Sequence, residues 1–145
     1  MNRRIQTVKD LSNSNFHMEY HDTGYPLEMK PHYHNSHEII FVREGSVEFI
    51  INGKLYNVGQ NTLIFISNLE NHKMVVKSDC YKRYFLLIDP RFFQRFANDP
   101  PLASIFSNSP LGFNHTVKLK EVHVPEVEIL ITMSTTLSES LKNMR

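Results

Sequence analysis

Residues Pro31–Gly45, PHYHNSHEIIFVREG, place three histidines and a carboxylate within seven positions and then run directly into an apolar strand and a turn glycine. His32, His34 and Glu38 have even numbers, so along an extended chain their side chains share one face. Three such groups on one face make either a metal site or the polar lining of a pocket. His37, on the opposite parity, is expected at the surface.

Outward from this stretch the pattern is one of short strands. Phe16, Met18 and Tyr20 alternate with His17, Glu19 and His21, which predicts a half-buried strand with its histidines toward solvent. Glu38–Arg43 and Val47–Ile51 flank the Glu44-Gly45 turn. Asn52-Gly53 then separates Phe49-Ile50-Ile51 from Lys54-Leu55-Tyr56, a strong hairpin signal. Leu63–Ile66, His72–Val76 and Tyr81–Ile88 continue the series, bounded by Gly, Asn, Ser or Asp. In His72–Lys77 the lysines take the wet face, which turns His72 inward with Met74 and Val76. By the same alternation Glu38 shares a face with Ile40 and Val42, while Arg43 points outward. Short strands without helices between them predict an antiparallel sandwich or barrel.

Past Asp89 the character changes. Pro90–Ala97 begins with a proline suited to the first position of a helix, and Val117–Val122 predicts one last strand. Pro125–Arg145 reads as a helix, with Glu126 and Glu128 in its first turn and Lys142 and Arg145 in its last. Val127, Leu130, Ser134, Leu137, Leu141 and Met144 recur at spacings of three and four, a heptad seam with one polar interruption. Val127, Leu130, Leu137, Leu141 and Met144 are therefore the expected dimerisation residues. Ile129, Ile131 and Met133 lie off the seam and let the helix pack on its own sheets as well. It reaches Arg145 without a C-cap glycine, which points to a polypeptide that continues. The organisation expected is a flexible arm over 1–15, a barrel over 16–89, a helical and extended segment packed on it over 90–124, and the amphipathic helix over 125–145.

The balance of 16 basic and 15 acidic residues gives a net charge of +1, without the basic stripe of a domain that grips nucleic acid by itself. The single cysteine, Cys80, excludes an internal disulfide and fits a reducing, cytoplasmic setting. The longest apolar runs have strand length and cannot span a bilayer, and MNRRIQTVKD lacks the apolar core of a signal peptide. His115 and His123 fall near strand ends and receive no role.

The run His32-x-His34-x3-Glu38-x6-Gly45 is similar to the first motif of the cupin superfamily, and Gly59, strand Leu63–Ile66 and His72 resemble a stretched second motif. This resemblance implies His32, His34, Glu38 and His72 as a ligand set for an optional divalent metal (Zn, Ni, Mn or Fe), donors suited to such ions. The second motif departs from the pattern. It has Phe65, Ile66 and Ser67 in place of a Pro-x-Gly element, and its histidine comes late.

A fuller resemblance is to the N-terminal sensor domains of AraC-type transcription regulators. The His-x-His run, the NGKLYNVG hairpin at Asn52–Gly59, the Ser67-Asn68 loop before His72 and Asp89-Pro90-x-Phe92 carry it across residues 16–145. It implies a mainly β fold, a cupin-type double-stranded β-barrel (jelly roll) with C-terminal helices. It also implies a small-molecule effector inside the barrel, a homodimer, and DNA contact only through a C-terminal domain absent from these residues. The effector would touch His32, His34, Glu38 and His72, with Ile40, Val42, Phe49 and Met74 as apolar walls. The alternative is a stand-alone metal-dependent cupin enzyme of dioxygenase or isomerase type; the stretched second motif and the long terminal helix favour the sensor.

Overall fold

The computed structural model describes residues 16–24, 28–32, 35–96, 105–106 and 114–144. The expected arm, His34 and much of the 97–113 segment lie outside the described residues. Among the described residues nine strands form two antiparallel sheets. They are β1 (Phe16–Gly24), β2 (Glu28–His32), β3 (His37–Glu44), β4 (Val47–Ile51), β5 (Lys54–Val58), β6 (Thr62–Ile66), β7 (His72–Val76), β8 (Cys80–Ile88) and β9 (Thr116–Lys118). The five-stranded sheet has the order β1-β8-β3-β6-β9 and the four-stranded sheet β2-β7-β4-β5. Helix α1 (Pro90–Phe96) follows β8, and α2 (Val124–Asn143) closes the chain after a 3-10 turn at Glu121–His123. The sheets face one another as a cupin-like sandwich and are not closed into one continuous hydrogen-bonded barrel.

Two turns explain the tight strand spacing. Asn52 and Gly53 have φ of 49° and 81°, the paired positive values of a type I′ turn, which matches the twist of β4 and β5. Gly45 has φ of 113°, and a Cβ there would lie 2.4 Å from the Cys80 carbonyl. Only glycine lets the β3–β4 turn pass over the start of β8.

Apolar packing occurs in two layers. Ile40, Val42, Phe49, Ile51, Ile64, Met74, Val76 and Tyr81 fill the space between the sheets. Phe41, Val124 and Ile131, with Met18, Tyr84 and Val127, pack on the outer face of the five-stranded sheet beneath α2. Arg43 points outward as expected and pairs with Glu128 of α2. Each fully buried Leu-, Ile- or Phe-sized side chain in these layers contributes about 1.5–3 kcal/mol.

Several expectations are corrected. Strand β2 was not anticipated; it holds Pro31, which an edge strand tolerates because no neighbour needs its missing N–H. The parity count from His32 to Glu38 crosses a break: the chain leaves β2 at His32, bends at Asn35-Ser36 and enters the other sheet at His37. Strand β9 stops at Lys118 rather than Val122, since it pairs with only Thr62–Ile64 at the sheet edge.

The faces of β1 are also reversed. His17, Glu19 and His21 stand opposite Leu87, Phe85 and Arg83 of β8, and directly paired residues share a face. Phe85 packs into the space between the sheets, so the histidines face inward, while Met18 lies under α2. Alternation separates two faces but does not say which is inside when a helix covers the outer one.

Candidate functional site

Glu38 starts the inner face of β3 and His72 that of β7, so the two come from facing sheets. Both are buried, and His72 Nε2 lies 3.4 Å from Glu38 Oε2. The carbonyl of Glu70 accepts from His72 Nδ1 at 3.0 Å, which fixes the ring with Nε2 toward Glu38. Burial alone would lower the His72 pKa; hydrogen bonding and charge attraction from Glu38 outweigh it and raise the value above the ordinary one. His32 occupies the β2 position directly across from His72 in register. Of the four expected positions, Glu38 and His72 meet across the sheets rather than along a shared strand and His32 lies beside His72 in backbone register, while the side chain of His32 and all of His34 are outside those described.

Ile40, Val42, Phe49 and Met74 are all buried between the sheets. Among the described residues no group of three His, Cys, Asp or Glu side chains is arranged to hold a metal ion.

The interior holds a second polar group that the sequence reading did not single out. Glu19 is flanked by two histidines on its own strand, His17 Nε2 to Oε1 and His21 Nε2 to Oε2, each at 2.7 Å. Beside His21 in register stands Arg83, only 7% exposed. Its Nη1 donates to Thr23 Oγ1 at 2.8 Å and to the Tyr81 carbonyl at 3.3 Å, and its Cζ lies 4.1 Å from the Tyr81 ring centroid. Burial draws the Arg83 pKa below the ordinary arginine value, against the opposing pull of Tyr81 and Asp22. Burial likewise pushes the Tyr81 phenol up, and its hydroxyl has no hydrogen-bond partner among the described residues. The signal was present: Tyr81, Arg83, Phe85 and Leu87 alternate, so the arginine shares a face with two aromatic residues and a leucine.

Two further histidines are structural. His37, expected at the surface, is buried against α1 and stacks on Phe106 at 4.3 Å, edge-on to Phe93. Its Nδ1 accepts from the Asn68 amide at 3.1 Å. Burial drives its pKa from 6.5 down to about 4, despite the charges of Asp89 and Glu70. His115 ties the sheets together on the β5–β9 side. Its Nδ1 pairs with Tyr56 Oη at 2.7 Å and its Nε2 with Glu70 Oε2 at 2.9 Å. Glu70 also accepts from the Ser67 amide at 2.8 Å and from Asn52 at 2.6 Å. Burial raises the Glu70 pKa, and the His115 and Ser67 hydrogen bonds overcome it, leaving it lowered.

Helix α2 presents two faces. Val124, Val127 and Ile131 pack on its own sheet, whereas Ile129, Leu130, Met133 and Met144 are exposed. Of the expected seam, then, Val127 lies against the sheet and Leu130 and Met144 point away; the side chains of Leu137 and Leu141 are outside those described.

The comparisons follow this geometry. The family model described as AraC-like ligand binding domain matches residues 15–121. No curated protein matches the chain. Among solved structures, the cupin domain of Cnp3 from Schizosaccharomyces pombe aligns with a TM-score of 0.52 at 10% identity, over 61% of this chain and 68% of that one. A cupin 2 conserved barrel domain protein from Salinispora arenicola aligns with a TM-score of 0.49 at 19% identity, over 63% and 75%. A mutant of the salicylate 1,2-dioxygenase from Pseudoaminobacter salicylatoxidans aligns with a TM-score of 0.49 at 20% identity, over 58% of this chain and 24% of the enzyme. At these identities the first alignment speaks for the cupin fold alone.

Proposed function

This chain belongs to the AraC-like ligand-binding domain family, and from that premise we propose that it is the effector-sensing and dimerising half of a transcription regulator. A small molecule enters between the sheets and contacts the polar groups around Glu38 and His72, and in this proposal His32 and His34 take part in holding it. Ile40, Val42, Phe49 and Met74 receive its apolar part. The observation that carries this proposal is the buried Glu38–His72 contact, a carboxyl–imidazole pair joining facing sheets inside the region that the family model matches. Binding shifts the balance between two arrangements of the domain by as much as the effector's differential affinity allows.

The exposed apolar side of α2 supports a homodimer, in which Leu130, Met133 and Met144 meet a second copy. DNA contact belongs, in this proposal, to a domain that these 145 residues do not include, which accords with a net charge of only +1. The setting is cytoplasmic and the role is sensing rather than catalysis. Among the described residues no helix is long and apolar enough to cross a membrane.

One observation favours a bound divalent metal as a second reading: His72 Nδ1 is held by a carbonyl while Nε2 faces a carboxylate, the usual support of a metal-ligating imidazole. His32 and His34 would then complete the set. Metal analysis of protein purified without chelator decides this: stoichiometric metal lost in His72→Ala supports it, and metal-free protein removes it.

For the main proposal, thermal melting against a panel of sugars, carboxylic acids and amines is the direct test. At least one class should raise the melting temperature of the parent and have a smaller effect on Glu38→Gln or His72→Gln. Stabilisation that is equal in all three proteins would place the binding elsewhere.

A further inference from the structure

The interior carries a cation, Arg83, that has no ion-pair partner among the described residues. Arg83 points between the sheets, opposite Val42 on one side and His21 on the other. Its described contacts are neutral oxygens and an aromatic face, and no carboxylate among the described residues lies within ion-pair distance. Asp22, beside His21 on the facing strand, acts on Arg83 only through longer-range attraction, and Glu19 is already held at both oxygens by His17 and His21. Both hydrogen bonds of Arg83 to described residues use Nη1, and among those residues the Nε and Nη2 edge of the fork is left for another acceptor. Close by, the fully buried Tyr81 carries a hydroxyl without a partner. Buried polar groups of native proteins are nearly always satisfied, so the unmatched Tyr81 hydroxyl, on the same face of the same strand as the Arg83 fork, marks a place where a ligand completes the bonding.

We propose that Arg83, with the Tyr81 hydroxyl, anchors the carboxylate of the effector, which is therefore a small carboxylic acid with an apolar body. This rests on the reading that the space between the sheets is the effector site, and it specifies the ligand class. A carboxylate matches the planar fork of a guanidinium through two parallel hydrogen bonds. One guanidinium suits a monoanion better than a phosphate. The apolar body follows from the neighbours: Val42, Ile40 and Phe85 line the same space next to Arg83. The solvent route is the β1 edge, where the Glu19 and His21 side chains keep 25% and 29% of their exposure.

Titration of the protein with benzoate, phenylacetate and isovalerate, each against its neutral amide, and with glucose tests the inference. Calorimetry gives affinity, and the 15Nε resonance of Arg83 reports direct contact. At least one carboxylate should bind, its amide should bind at least roughly tenfold more weakly, and the Arg83 resonance should shift. Arg83→Gln should lose the carboxylate preference, and Arg83→Lys should recover only part of it because the fork is gone. Tyr81→Phe should weaken carboxylate binding while leaving the free protein as stable as the parent or more so, which a purely structural role for the hydroxyl would not give. A neutral probe that binds in a Glu38-dependent way, with Arg83→Gln unaffected, would overturn the carboxylate assignment and leave the pocket standing. A flat response to every probe would overturn both.

Discussion

The two long sides of the sandwich are built on opposite terms. On the β5–β9 side, Tyr56, His115 and Glu70 form a relay in which each polar atom is matched to a partner, with Ser67 and Asn52 holding its far end. On the β1–β8 side, Arg83 stacks on Tyr81 without a described counter-ion, and the Tyr81 hydroxyl is unmatched. Satisfied buried networks rigidify a fold, whereas unmatched groups are kept at a cost that a ligand can relieve. The first side reads as a seam and the second as a site.

The largest effect should come from breaking the seam. His115→Ala leaves the Tyr56 hydroxyl and the Glu70 carboxylate buried without their shared partner, and should lower stability by about 3 kcal/mol in urea unfolding. A loss below about 1 kcal/mol would mean that the relay is ornamental and the contrast false.

The helix offers a parallel contrast between its two faces. Ile131→Ala, beneath α2, should cost about 2–3 kcal/mol. Leu130→Glu together with Met133→Glu, on the exposed face, should leave the fold within ~0.5 kcal/mol of the parent and convert the proposed dimer to a monomer in sedimentation equilibrium. A parent that is monomeric at high concentration would remove the dimer.

The histidines respond to pH in opposite senses. His37 holds its proton less tightly when folded, at about 4 against 6.5, so in this window the unfolded chain takes up a proton that the folded chain refuses. Its contribution is complete above pH 6.5 and declines as the pH falls toward 4. His72, with a raised folded pKa, contributes stability that is complete below its unfolded value of 6.5 and is lost as the pH rises through the folded value. Stability measured with chelator present should therefore peak near pH 6.5; His37→Phe should flatten the acid limb and His72→Gln the alkaline one.

The smallest effect belongs to the open side. Tyr81→Phe should change stability by no more than about 1 kcal/mol, and in the stabilising direction, because the hydroxyl it removes is unmatched. A clear loss would show that the hydroxyl has a partner in solution.

The sequence carried most of this architecture, for local reasons. Asn52-Gly53 specifies its hairpin through two positive φ values, and period-2 alternation marks β4, β6 and β7 because each has one face between the sheets. Strand β2 was hidden by Pro31, which local rules read as a break and which only its edge position permits. The faces of β1 were misassigned because α2, far away in sequence, makes the outer face of that strand apolar too. His37 lies beyond local inference for the same reason: Phe93 and Phe106 cover it from later segments. Glu38 and His72 were legible from alternation within their own strands, although the parity count linking Glu38 to His32 crossed a break between sheets.

The central claim is that a small molecule binds between the sheets. Methyl-resolved NMR of Ile, Val and Met residues, titrated with the carboxylate panel, tests it most directly. The account predicts shifts at Ile40, Val42 and Met74, with Leu130 and Met133 of α2 unmoved. Shifts confined to the exposed face of α2, with the interior methyls silent, would contradict it.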